Sequence, residues 1–456
     1  MFVHRGSSRS RVAVAGALSV GLVFGLSACG DSSDTDSEST GGSSAAAIDC
    51  APYTAFGDIK GKTVTIYTGI VTPEDAPHKE SYKPFEQCTG ATIKYEGDKA
   101  FETQVLIRAE AGNPPDLAFV PQPGLVQRLV ATGKAKEAPA ETAANVDKHF
   151  GEDWKAYGSV DGKFYAAPLG ANVKSLVWYS PSEFKDSNYA IPNTLAELKA
   201  LTDKMVADGK KPWCAGIASG EATGWPATDW LEDFFLRLNG PEAYDKWVSH
   251  EIPFNGPEAT KALDAVGAYL KNDAYVNGGL GDVKSIAGTA FQDAGLPILD
   301  GQCSLHRQAS FYAANFPKDK KVAEDGDVFA FYLPGETADN KPVLGGGEFV
   351  LAFADRPEVK AFQTYLSSDV WANAKAKVSS GWVSANKGLD PNNLQNPVDK
   401  LSAEILLDPN ATFRFDGSDM MPAAVGSNAF WKQTTNWITG QDTKTTLDNI
   451  EAAWPK

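Results

Sequence analysis

Thr63-Val64-Thr65-Ile66-Tyr67 alternates at period two and is rich in β-branched side chains until Gly69 stops it, the pattern of a half-buried strand. A strand–helix rhythm extends outward from it. Lys79 to about Gln87 reads as a helix, and Ala91-Thr92-Ile93-Lys94-Tyr95 as a second strand. Phe101 to Ala111 reads as another helix, with Phe101, Val105 and Ile107 or Arg108 at helical spacing and Gly112 at its end. Asn113-Pro114-Pro115 breaks that helix before a third strand, Asp116-Leu117-Ala118-Phe119-Val120. Gly124 to Thr132 is helical again and closes at Gly133. Strands alternating with helices predict an α/β fold with a mostly parallel, doubly wound sheet. Ligands of such sheets sit beyond the carboxyl ends of the strands. Here those ends lead into residues 68–75, Glu96-Gly97-Asp98 and Pro121-Gln122-Pro123.

Further along, residues 161–170 read as a hairpin followed by an extended crossing strand. Trp225 to Asn239 and Tyr244 to Ser249 are tryptophan-containing helical stretches, and residues 328–335 form a second extended crossing. No repeat of solenoid period is present. The length, beyond what one core usually serves, predicts two domains. A hydrophobic content of 43% with 11% aromatic residues is that of a soluble globular protein.

The N-terminus predicts export. Arg5, Arg9 and Arg11 make a positive start, and Val12 to Leu26 is an uncharged run of 15 residues. A bilayer-spanning helix needs about 20, so the run suits the core of a secretory signal. It ends in Leu26-Ser27-Ala28-Cys29-Gly30, which resembles a bacterial lipobox. Residues 1–28 are thus expected to be a signal peptide and Cys29 the site of lipidation. Residues 29–49, dominated by Ser, Thr, Asp and Gly, are expected to be a flexible tether, too polar to offset the entropy of ordering. Without residues 1–29 the chain holds 39 basic and 58 acidic residues, a formal charge of −19. Such a surface repels phosphate backbones and argues against nucleic-acid binding.

If Cys29 carries lipid, Cys50, Cys88, Cys214 and Cys303 remain in an oxidising compartment, with three possible pairings. Cys50–Cys88 and Cys214–Cys303 is the favoured one, since each bond staples neighbouring segments of one lobe. With no CxxC and five scattered histidines, zinc is the weaker reading, and no metal or other cofactor is expected.

Taken in order, several segments resemble the extracellular solute-binding proteins of carbohydrate ABC transporters (family 1), closest to the alpha-glucoside or maltose-type branch. They are the lipobox and tether, Asn113-Pro114-Pro115-Asp116-Leu117, residues 161–168, residues 174–179, residues 413–419 and Phe430-Trp431. The resemblance covers about Gly61 to Pro455, although the cysteine pairs are not general to the family. It implies a two-lobed, periplasmic-binding-protein-like (type II) fold, each lobe a sheet flanked by helices, joined by hinge crossings that close over ligand. The expected lobes are residues 50–170 with 334–372, and residues 171–333 with 373–456. A monomer tethered to the outer face of the cell membrane would capture an alpha-glucoside or short oligosaccharide and deliver it to permease subunits.

A sugar presents apolar faces that suit aromatic rings and hydroxyls that suit carboxylates and amides. Trp225, Asp229 and Trp230 are candidates in the richest stretch of that kind, residues 224–233, although a tryptophan is equally a core residue and Asp229 equally a helix-start carboxylate. Trp382 offers a second ring, or a buried strand aromatic. Glu74 and Asp75 lie on the first strand's exit loop; Gln122 and Asn172 flank the expected cleft. In Gly345-Gly346-Gly347-Glu348, Gly346 brings backbone near a ligand and Glu348 supplies a carboxylate, unless the glycines only serve a tight strand start. Arg414, Asp416 and Asp419 form a mixed-charge loop that binds ligand or pairs internally. His306-Arg307-Gln308, just after Cys303, is expected to hold the disulfide loop.

Enzyme signatures are missing. Residues 57–63 approach a P-loop but have three residues between the glycines and precede a strand; HExxH, GxSxG and GxGxxG do not occur. A secreted lipoprotein glycoside hydrolase is the alternative, because the spacing of paired carboxylates is set in space. A sensor or adhesion module is a third.

Overall fold

The computed structural model describes residues 50–72 and 74–455. The signal peptide, Cys29 and the tether lie outside the described residues. In chain order the strands are β1 (Thr63–Thr68), β2 (Thr92–Gly97), β3 (Leu117–Val120), β4 (Ser159–Val160), β5 (Lys163–Phe164), β6 (Ala166–Val173), β7 (Leu176–Tyr179), β8 (Leu305–Arg307), β9 (Phe329–Tyr332), β10 (Lys341–Ala352) and β11 (Ala411–Phe415). The rhythm expected over residues 63–133 is present, with helices at Asp75–Thr89, Phe101–Glu110 and Pro123–Ala131. Gly90 ends the first of these at φ 69°, a left-handed conformation that glycine adopts without a Cβ penalty.

β2, β1 and β3 pair in parallel. The sheet then turns mixed: β10 runs antiparallel to β3 and β6 and parallel to β11. A separate antiparallel sheet has the order β8-β7-β9. Each sheet serves its own hydrophobic core. The first gathers Phe85, Phe119, Leu129, Phe349, Phe362 and Trp371; the second gathers Trp178, Trp213, Phe234, Trp247, Tyr269 and Trp437. Two α/β lobes result.

β6 and β10 pass from one core to the other. Ala166 to Ala171 pack in the first core and Val173 in the second; Val343 and Leu344 pack in the second and Phe349 to Ala352 in the first. The glycine run lets these strands approach. A Cβ on Gly347 would lie 2.3 Å from the Gly170 carbonyl oxygen, and one on Gly345 would lie 2.3 Å from the Phe413 ring. The return crossing is therefore β10. The stretch expected to cross, residues 328–335, instead supplies β9, which pairs with β7 inside the second lobe. Residues beyond 373 also return to the first core, where Ala376, Trp382, Val383 and Leu389 are buried. The helix Asp369–Ala376 brings them there: its Trp371 indole N–H donates to Ser81 Oγ on the helix Asp75–Thr89 at 3.0 Å.

Disulfides join Cys50 to Cys88 and Cys214 to Cys303, the favoured pairing. His306 lies beside the second, its Nδ1 2.9 Å from the Cys214 carbonyl oxygen. No helix among the described residues is long and apolar enough to cross a membrane.

Candidate functional site

The exit of β1, the crossing strands and the chain after Lys375 converge on a cavity of about 140 Å³. Glu74 and His78 come from the β1 exit and its helix, Asn172 from β6, Glu348 from β10, Phe311 from the second lobe, and Lys375 and Trp382 from the returning segment. Placement beyond a strand's carboxyl end is where an open α/β sheet leaves room.

Two polar atoms in this wall are buried and have no hydrogen-bond partner: Trp382 Nε1, a donor, and Asn172 Oδ1, an acceptor. Such groups cost about 1–3 kcal/mol each when left dry and unpaired. Trp382, 9% exposed, packs edge-on to Trp371 at 5.4 Å. Across the cavity Phe311 lies 6.1 Å from the ring of Trp225, which starts the helix Trp225–Asn239.

The ionisable groups here are strongly perturbed. Burial, helped by the charge of Glu74, pushes Glu348 up to about 7. Glu74, although exposed at the rim, is partly desolvated and raised as well, with Lys375 opposing. Burial lowers Lys375 to about 7 against the pull of Glu348, Glu74 and Asp399. The Lys375 ammonium donates to Ser379 Oγ at 2.8 Å and lies 5.7 Å from the centre of the Trp382 ring.

A second set of sequence candidates joins a buried charge network behind this cavity. Lys174, between β6 and β7, bonds Asp229 at 3.0 Å and also Asp416, which follows β11. Arg307 reaches Asp229 at 3.4 Å and Asp233 at 2.8 Å, and Asp233 also pairs with Arg237. Glu232 accepts from the backbone N–H groups of Gly417 and Ser418 at 3.0 and 3.1 Å. Asp229, Glu232 and Asp416 offer three clustered oxygens, but the Lys174 ammonium already sits against two of these carboxylates. Burial and the charge of Asp416 push Asp419 well above the carboxylate range. Asp419 and Gln122 line a separate cavity of about 220 Å³ between residues 122–128 and 418–427.

The structure thus brings Glu74, Asn172, Glu348 and Trp382 to one cavity, with Trp225 next to it. Gly346 lies directly behind, where a Cβ would meet the Asn172 side chain at 3.3 Å. Asp229 and Asp416 stay in the charge network, Gln122 and Asp419 line the separate cavity, and three further candidates belong to none of these. Trp230 is 4% exposed in the second core against Trp213 and Phe234, because its position on an all-round buried helix faces inward. Asp75 pairs with Lys79 at 2.6 Å, one helical turn on. Arg414 makes a two-pronged bond to Asp245 at 2.6 and 2.9 Å, tying β11 to the helix Pro241–Val248. Lys375 and Phe311 escape sequence reasoning; the spacing of Lys375 and Ser379 before Gly381-Trp382 is the one available sign of the former.

Residues 64–373 match the family "Bacterial extracellular solute-binding protein". The chain is 39% identical over 409 residues to the alpha-glucosides-binding periplasmic protein AglE of Rhizobium meliloti (strain 1021), covering 87% of this chain and 88% of that protein. It is 37% identical over 404 residues to the osmoprotective compounds-binding protein GgtB of Synechocystis sp. (strain ATCC 27184 / PCC 6803 / Kazusa), covering 88% and 94%. The fold is similar to that of the bacterial solute receptor AcbH, with a TM-score of 0.71 over 87% of this chain and 98% of that one at 20% identity. Two lobes around a small polar cavity accompany a match that spans most of the sequence, and the chain belongs to the bacterial extracellular solute-binding protein family.

Proposed function

We propose that this protein is the capture component of an ABC sugar importer, binding a compact alpha-glucoside or short oligosaccharide and presenting it to permease subunits. The observation that carries this reading is the pair of buried, unpartnered atoms, Trp382 Nε1 and Asn172 Oδ1, beside the carboxylates of Glu74 and Glu348. A hydroxyl both accepts and donates, so a sugar satisfies all of them together. The preference of AcbH for β-D-galactopyranose supports a sugar, and the name of AglE supports the alpha-glucoside class. About 140 Å³ is small beside the roughly 300–1,000 Å³ of pockets for drug-sized ligands, which favours one or two rings. In this reading the lobes hinge where β6, β10 and β11 pass between the cores. A lipid on Cys29 holds the monomer at the outer membrane face, and no bond in the ligand is broken.

Calorimetric titration of the chain from Ala47 onward against glucose, maltose, trehalose, sucrose and maltotriose tests it. Micromolar binding, about −8 kcal/mol, with the sugar recovered unchanged is the expected result. Silence across the panel rejects the alpha-glucoside class. Glu74 and Glu348 are the kind of carboxylate pair a glycoside hydrolase uses, and recovery of cleaved sugar would put that reading first.

A further inference from the structure

The charges of this cavity narrow the ligand beyond the proposed sugar reading, on which this inference rests. We propose that the site prefers a polyhydroxylated ligand carrying a protonated nitrogen, an amino- or imino-glycoside, over its neutral counterpart.

Glu74 and Glu348 face the cavity from the β1 exit and from β10. Asp399 stands behind it, accepting the Gly381 N–H at 2.8 Å. Among the described residues of the wall, Lys375 is the one lysine; it is drawn to both carboxylates, but burial lowers it to about 7, and its ammonium donates to Ser379 beside the Trp382 ring. His78 is kept neutral by burial, with Nδ1 3.3 Å from the Tyr82 hydroxyl. Lys174 is matched by Asp229 and Asp416. Two carboxylates in the lining thus share a single lysine whose own charge burial opposes.

Among the described residues no side chain donates to the Glu348 carboxylate, whose hydrogen-bonding help comes from its own backbone N–H. Burial outweighs the pull of Lys375 and favours a proton on it. A ligand ammonium placed between Glu348 and Glu74 would take the role of that proton while both carboxylates stay ionised. A bare alkylammonium does not suffice: Trp382 Nε1 needs an acceptor and Asn172 Oδ1 a donor, which ring hydroxyls supply.

The test is titration at pH 6.5 with maltose and with its imino counterpart, 4-O-α-glucosyl-1-deoxynojirimycin, and with trehalose and trehalosamine. The expected result is about tenfold or greater preference for the nitrogen-bearing member of at least one pair, roughly the effect of one added ion pair. That ratio should fall in Glu348→Gln and in Glu74→Gln; Glu74 is exposed, so its variant keeps the fold should the other fail to express. Equal or weaker binding of both nitrogen-bearing ligands, with the neutral sugars bound, overturns this inference alone. Failure of all four to bind overturns the sugar reading together with it.

Discussion

Replacing Lys174 by Met removes one charge while keeping most of the side chain's volume. Lys174 is 8% exposed, and the two aspartates it neutralises, Asp229 and Asp416, are 0% and 2% exposed. Breaking a buried ion pair by deleting one partner costs about 3–5 kcal/mol, a large share of the roughly 5–15 kcal/mol that holds a folded protein together. The loss depends on pH. Burial works to raise Asp416, but Lys174 and the hydrogen bonds around it win and hold this carboxyl below the usual range. A depressed carboxylate contributes stability above its unfolded pKa, about 3.9, and loses it as pH falls through the folded value. Burial already pushes Asp229 up to about 7; in the variant Asp416 is pushed upward as well, which favours the fold only at low pH. The gap between the two proteins should therefore widen from pH 5 to pH 8. Urea unfolding followed by the fluorescence of the 11 tryptophans measures it. A difference below about 1 kcal/mol at pH 8, or one that does not shrink at pH 5, would refute the assignment of Lys174 as the counter-ion.

Trp382→Phe keeps a ring but removes the unpartnered donor; sugar affinity measured by calorimetry should fall by about 2- to 12-fold, the worth of one hydrogen bond. Glu348 is raised from 4.5 to about 7, so its contribution to stability is present below pH 4.5 and lost as pH rises through 7. Glu348→Gln should consequently stabilise the ligand-free protein at pH 8 relative to pH 5, by up to about 3 kcal/mol, read as a pH-dependent shift in thermal midpoint. Joint Cys214→Ser and Cys303→Ser substitution opens a bond between residues 89 apart and should cost about 4 kcal/mol in chemical unfolding.

Local elements were legible because their causes are local. Period-two alternation at Thr63–Tyr67, Asn113-Pro114-Pro115 as a break, and Gly133 as a stop all act within a few residues. The strands and helices of residues 63–131 lie within a few residues of where those signals put them. Trp225 to Asn239 was readable as a helix, yet its sequence does not tell which tryptophan faces a ligand. Both ends of that helix are packed, and burial on every side removes the polar face that would orient it. Trp230 went to the core for that reason.

Sequence by itself determined the α/β class and the family resemblance, since each rests on patterns continuous along the chain; it only favoured one of three cysteine pairings, which the structure then showed. Only the tertiary structure decided the path of the return crossing and the membership of the site. β9 and β10 are both extended and apolar, and what separates them is which strand each finds as a partner: β7 for one, β3 and β6 for the other. Glu74, Asn172, Glu348, Lys375 and Trp382 are up to about 300 residues apart in sequence. Their proximity, and the burial that shifts Glu348 and Lys375 toward each other in pKa, arise from packing of distant elements that no local spacing encodes.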